Sequence, residues 1–306
     1  MRSLALYLLA AAMGASADAG WSTAASIPEP LQEMHAAVLK GRIYIAGGFN
    51  VKDDVTVVSY RLDPAANRWE RIADLPAGRH HMPLVVANDT LYAVGGLSAP
   101  GFDAVATLWI FEDRENRWVE RAPLPEPRGA GGAAVVGGQI VLVGGYGTNR
   151  KLLDSIAIYN PRANSWRHGA PIPTLRDHLG VAAVGGTVYA AGGRPLRTTQ
   201  NMDVLEAYDV KANQWTARAP MPSHRGGLSA TALNGKVYTY GGEQPGGVFP
   251  NQESYDPKTD RWTSLAPLPT PRHGLGVTVF EGRIYVIGGG PAPGSAQTAV
   301  VEVYTP

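Results

Sequence analysis

Val181-Ala182-Ala183-Val184, Gly185-Gly186, Thr187-Val188-Tyr189-Ala190-Ala191, Gly192-Gly193: here two short apolar runs flank a two-residue turn and end on a glycine doublet. Runs this short, hinged on glycines, read as a β-hairpin and not as a helix. Beyond it a loop leads to Val204-Leu205-Glu206-Ala207-Tyr208, then to Trp215 and to Ala219-Pro220-Met221-Pro222, so the unit holds four short strands. The unit recurs. Doublets stand at Gly47-Gly48, Gly95-Gly96, Gly144-Gly145, Gly192-Gly193, Gly241-Gly242 and Gly288-Gly289, at steps of 48, 49, 48, 49 and 47 residues. Trp21, Trp69, Trp118, Trp166, Trp215 and Trp262 keep the same steps. Two residue types in register over the whole chain, at a period near 50 with strand patterning, predict propeller blades.

The first two strands of every unit are joined by a two-residue turn: Lys40-Gly41, Asn88-Asp89, Gly137-Gly138, Gly185-Gly186, Asn234-Gly235 and Glu281-Gly282. Most carry the Gly or Asn that a primed turn requires. A third column, Leu62, Phe111, Tyr159, Tyr208, Tyr255 and Tyr304, precedes each tryptophan by seven residues, except that Tyr304 lies two residues from the end of the chain. Its missing partner is Trp21. The prediction is an all-β, six-bladed propeller with four antiparallel strands per blade, closed by an N-terminal strand joining three C-terminal strands.

The pattern of Ile43-Tyr44-Ile45-Ala46-Gly47-Gly48, Tyr208-Asp209 leading to Trp215, and a trailing Ala-Pro-Met/Leu-Pro resembles the Kelch repeat, and the resemblance covers residues 20–306. Among Kelch propellers the chain looks closest to the exported bacterial sialic-acid mutarotases, which implies arginine and glutamate at the channel mouth and cofactor-free acid–base chemistry. The copper chemistry of galactose oxidase is excluded, because its tyrosine–cysteine crosslink has no counterpart in a chain without cysteine. Eukaryotic Kelch domains imply a third role, docking of a protein partner on the same face.

Residues 1–19 read as a secretory signal: Arg2, the apolar run Leu4 to Met13, and Ala17-Asp18-Ala19 as a small-x-small cleavage site. Residues 20–306 then form one domain, periplasmic or secreted and expected to be a monomer. With no cysteine there is no lipid anchor on a thiol and no disulfide, and a chain of this size needs none. A formal charge of +1 with signs interspersed gives no footprint for nucleic acid or an anionic membrane.

In an antiparallel hairpin the start of the first strand lies beside the end of the second. Residues 14 to 16 before each doublet should therefore share one mouth of the channel with the residue just after it. Sixteen before stand Leu31, Arg79, Arg128, Arg176, Arg225 and Arg272; fifteen before, Gln32, His80, Gly129, Asp177, Gly226 and His273; fourteen before, Glu33, His81, Ala130, His178, Gly227 and Gly274. Phe49, Leu97, Tyr146, Arg194, Glu243 and Gly290 follow the doublets. The candidate ligand residues are Glu33, Arg79, His80, Arg128, Tyr146, Arg176, Asp177, Arg194, Arg225, Arg272 and His273, with Glu243, His178 and His81 as candidate acid–base catalysts. The arginine column admits two readings. It grips a ligand anion bidentately, or it binds loop carbonyls and a neighbouring carboxylate as a feature of the repeat. The residues that break their columns, such as Glu33, His178 and Glu243, point more directly to a ligand. A metal is not favoured, since no His-x-x-x-His or His-Glu-x-x-His spacing occurs and its ligands would come from separate blades. The expectation is a small polar or anionic ligand, a carbohydrate above all, with no cofactor.

Overall fold

The computed structural model describes residues 20–98 and 101–306, and the signal sequence expected at residues 1–19 lies outside them. Six four-stranded antiparallel sheets surround a central channel. The fourth blade runs Gly180–Val184, Thr187–Ala191, Leu205–Asp209 and Gln214–Arg218, as its sequence predicts. Five of the six hairpin turns hold both central residues at positive φ, for example Asn234 at 51° and Gly235 at 76°, which is the primed geometry that matches strand twist. Closure is as expected. Gly20–Ala24 pairs with Val301–Thr305, setting Trp21 opposite Tyr304 just as Trp215 stands opposite Tyr208.

Each repeated column has a mechanical cause. All six indoles donate Nε1–H to an alanine carbonyl of the preceding blade, from Trp69 to Ala25 at 2.8 Å through Trp262 to Ala219 at 2.8 Å, while each ring packs on the aromatic or leucine of its own blade. In five of the six the amide of the same alanine is taken by Asn67, Asn116, Asn164, Asn213 or Asp260, so there both polar groups of an otherwise unpaired backbone are satisfied. The glycine doublets are the inner joint. Gly241 sits at φ +63° with the Arg272 carbonyl 2.1 Å from where a Cβ would be, and the Gly242 amide donates to that carbonyl at 3.0 Å. No other residue fits both the left-handed backbone and the close approach.

Candidate functional site

The hairpin argument holds at backbone level in every blade: Gln32 pairs with Phe49, His80 with Leu97, Gly129 with Tyr146, Asp177 with Arg194, Gly226 with Glu243 and His273 with Gly290. Above these pairs the chain builds a belt. Glu33, His81, Ala130, His178, Gly227 and Gly274 all lie in the left-handed region, with φ between 49° and 70°. Each donates its amide to the carbonyl of its neighbour in the adjacent blade, from Glu33 to Gly274 at 2.7 Å around to Gly274 to Gly227 at 3.0 Å, closing a ring of six hydrogen bonds. A left-handed conformation costs a non-glycine residue about 1 kcal/mol or more. Glycine serves at two positions; the glutamate and two histidines accept the strain and carry side chains into the mouth. Gly274 has a second reason to lack a side chain, because a Cβ would meet the Glu33 carboxyl at 2.5 Å.

Those side chains continue into a closed circuit. Asp177 contacts His178 Nδ1; His178 Nε2 lies 3.0 Å from His81 Nε2; His81 Nε2 lies 2.9 Å from Glu33 Oε2. His273 Nε2 stands 3.6 Å from both Glu33 and Glu243, and Glu243 pairs with Arg194 at 2.9 Å. Arg194 Nε closes the circuit at 3.9 Å from Asp177. His80 backs it, with its Nδ1 2.6 Å from that of His81. All seven members are largely buried. All but Asp177, which stands behind His178, border a cavity of about 410 Å³ whose remaining wall includes Gln32, Phe49, Asp53, Phe102 and Ser295. Below the belt the passage narrows and then reopens as the channel between the inner strands.

Burial dominates the proton equilibria. It presses His178 below the usual imidazole range, helped by Arg194, and takes His35 down to about 4 and His80 to about 2. For Glu33 burial acts upward, but the neighbouring His81, with His273 and His178, outweighs it and holds the carboxyl well below its usual value. Each of these groups binds protons more readily in the unfolded chain, so each loses stability to acid. The histidines act as pH falls below 6.5, their unfolded value, and Glu33 acts below about 4.5. The melting temperature should therefore drop between pH 7 and pH 4, and His35→Asn should flatten that slope; a profile identical to wild type would remove His35 from it.

The arginine column requires a correction. Arg79, Arg128, Arg176, Arg225 and Arg272 do not reach the cavity, because each turns into its own blade where better partners wait. Arg176, Arg225 and Arg272 pair with Glu206, Glu253 and Glu302 at 2.6 to 2.7 Å and with backbone carbonyls. In the third blade that position is Ala157, and Arg128 uses Glu126 and Ser155 instead; in the second it is Trp109, over which Arg79 stacks at 4.9 Å. A buried guanidinium takes whatever countercharge or π-face its own blade supplies. Tyr146 is buried beside Leu97 and Ala130 with Arg150 over its ring, and its hydroxyl, which burial pushes up to about 12, has no partner among the described residues. Gln32 and Phe49 were visible in the columns but not singled out. Asp53, Phe102 and Ser295 sit in unequal loops that leave no periodic trace. Among the described residues no three His, Asp or Glu side chains are arranged to hold a metal.

Kelch proteins dominate the comparisons. Alpha-scruin of Limulus polyphemus is 32% identical over 133 residues, covering 41% of this chain and 14% of its own length. Kelch-like protein terF of Aspergillus terreus is 30% identical over 136 residues, covering 41% and 30%. The chain thus spans less than a third of these curated relatives. A solved structure titled "Structure of YjhT" superposes with a TM-score of 0.81 over 93% of this chain and 97% of that one, at 16% identity, a likeness of fold. Residues 43–291 match the Attractin/LZTR1 beta-propeller family, and with the repeat columns and six closed blades in place the chain belongs to that Kelch-type propeller family.

Proposed function

We propose that this propeller, exported by the segment at residues 1–19, binds a small polyhydroxylated molecule, a monosaccharide above all, in the cavity at the channel mouth. The observation that carries the reading is Arg194. It is 5% exposed, it lines the cavity, and its Nη1 has no hydrogen-bond partner among the described residues. A buried N–H without an acceptor costs about 1 to 3 kcal/mol, and a ligand oxygen that reached this guanidinium by a small shift of the side chain would recover that cost. The cavity lies in the range of small-ligand sites, roughly 300 to 1,000 Å³. Glu33, Glu243 and Gln32 offer acceptors for hydroxyl groups, and Phe49 and Phe102 offer ring faces for the C–H side of a sugar.

Kelch-type propellers generally engage proteins, and a partner would sit on the rim. The depth of the convergent Glu and His groups favours a small molecule instead. The same depth supports a second reading, a mutarotase or epimerase. His178 is held uncharged and oriented by Asp177, as a general base is, and Glu243 lines the same cavity from the next blade, linked to Asp177 through Arg194. In mutarotation the base takes the proton of the anomeric hydroxyl while an acid protonates the ring oxygen. The C–O ring bond breaks, and reclosure on the other carbonyl face returns both protons.

One-dimensional NMR of freshly dissolved single anomers, sialic acid included, tests both readings. Binding is expected as line broadening with at least one sugar, and catalysis as faster anomer exchange. Glu243→Gln should keep binding and lower any catalysis by roughly 10² to 10⁴. No broadening with any sugar would defeat the ligand reading, and exchange at the buffer rate would defeat the enzyme reading alone.

A further inference from the structure

The withdrawal of the arginines changes the sign of the site. Around the cavity stand the carboxylates of Glu33, Asp53 and Glu243, with Asp177 directly behind His178, against the single guanidinium of Arg194. Even if His81, His178 and His273 were all protonated the wall would only reach neutrality, and burial keeps His178 uncharged. With no second Arg or Lys in the cavity lining among the described residues, a ligand carboxylate or phosphate reaching Arg194 would lie beside Glu243, already paired there, and among the remaining carboxylates. That juxtaposition is repulsive in a site of low dielectric.

The other wall has the opposite preference. Phe49 and Phe102 stand with ring centroids 6.0 Å apart at 36°, and Phe102 is 47% exposed. Behind Phe49 the His80 ring packs at 4.3 Å and fixes its position. Asp53 faces the same space from the loop at positive φ, its Oδ1 accepting from Ser295 and from Gln297 at 3.0 Å. Aromatic faces beside carboxylates form the surround that stabilises an ammonium, through cation–π attraction and charge-assisted hydrogen bonds together. At the other end Arg194 Nη1 has no acceptor among the described residues.

Building on the monosaccharide reading, we propose that the cavity selects an amine-bearing, cationic sugar: a hydroxyl or ring oxygen toward Arg194, and the protonated amine against the cavity side of the phenylalanine pair, beside the Glu33 and Asp53 carboxylates. An N-acetylated sugar presents no charge to this pole, and an acidic sugar is excluded from it.

The test is calorimetric titration of the protein at pH 6.5 with matched hexoses: glucosamine, galactosamine and mannosamine, their neutral parents, their N-acetyl forms, and glucuronate. At least one hexosamine is expected to bind about tenfold or more tighter than its parent and its N-acetyl form, with no heat from glucuronate. Asp53→Asn keeps a side chain suited to that loop conformation and an acceptor for Gln297, so the fold is preserved; it should weaken the hexosamine about tenfold and leave the neutral parent unchanged. Parents or N-acetyl forms binding as tightly as hexosamines would overturn the selectivity for a cation and leave the monosaccharide reading standing, as would tighter binding of glucuronate. Silence from every sugar would overturn both.

Discussion

Arg225→Ala will destabilise the protein by about 3 to 5 kcal/mol, whereas Arg79→Met, at the equivalent position of another blade, will cost no more than about 1 kcal/mol. The difference lies in what each guanidinium holds. Arg225 is fully buried, and its five N–H groups meet five acceptors: Ser223 Oγ, the Gly241 and Asn251 carbonyls, Thr239 Oγ1 and Glu253 Oε2. Truncation strands the Glu253 carboxylate, itself 1% exposed, with only Ser223 and Asn251 as further donors. An unpaired buried charge is one of the few single changes that cost this much. Arg79 has no carboxylate. It donates to the Gly78 carbonyl at 2.7 Å, lies over Trp109, and leaves Nε unpartnered. Burial alone depresses its pKa, so an unbranched apolar side chain that keeps the packing on Trp109 loses little. Urea unfolding at constant m-value reads both. Equal midpoints for the two variants would overturn the assignment. An Arg225→Ala protein that kept its stability but lost a ligand would return the arginine column to the mouth.

That pair of arginines shows where the reading of the chain succeeds and where it stops. Architecture was legible because blades repeat: the six evenly spaced doublets, the six tryptophans that keep step with them and the unpartnered Tyr304 are periodic signals, and each reports a contact made in every blade, such as Trp69 to Ala25 or Gly47 against Arg79. The mouth was legible to the level of backbone pairing, since hairpin geometry alone sets Asp177 beside Arg194 and Gly226 beside Glu243. Side-chain direction was not. Positions 16 and 14 before a doublet are two residues apart and would share a face on a regular strand. The left-handed residue at the second position breaks that rule and sends Glu33, His81 and His178 to the axis while the arginines turn into the blades. Only Gly227 and Gly274 hint at that backbone in the sequence; a glutamate and two histidines conceal it. Asp53, Phe102 and Ser295 could be placed only by folding loops of unlike length onto the common scaffold.

Removing residues 20–25 will lower stability by on the order of 5 kcal/mol and turn the protein into an aggregating species, the second large effect the architecture implies. The segment does more than add a strand. Gly20–Ala24 covers the edge of Val301–Thr305, and Trp21 packs on Tyr304 at 5.2 Å and edge-on against Tyr240 at 6.2 Å, filling the seam between the fifth and sixth blades. One residue on, Ala25 joins the sixth blade to the first. Its carbonyl accepts from Trp69 at 2.8 Å and its amide donates to Asn67 at 2.7 Å. Loss of the segment therefore strips an indole from one interface, leaves a second indole N–H without its acceptor, and opens a strand whose N–H and C=O groups face outward. A loss of that size approaches the whole folding free energy of an ordinary domain, about 5 to 15 kcal/mol. The exposed edge is a template for a strand from another molecule, so the truncated chain should sediment as oligomers even where it retains its blades. A synthetic peptide of residues 20–25 supplied in trans at millimolar concentration should restore part of the lost melting temperature by refilling the edge. The same peptide with Trp21 replaced by alanine should restore less, because the indole packing would be missing. A truncated protein that melts with the full-length one and remains monomeric would show that the ring closes without this strand, and the pairing of Trp21 with Tyr304 would then have no part in holding it shut.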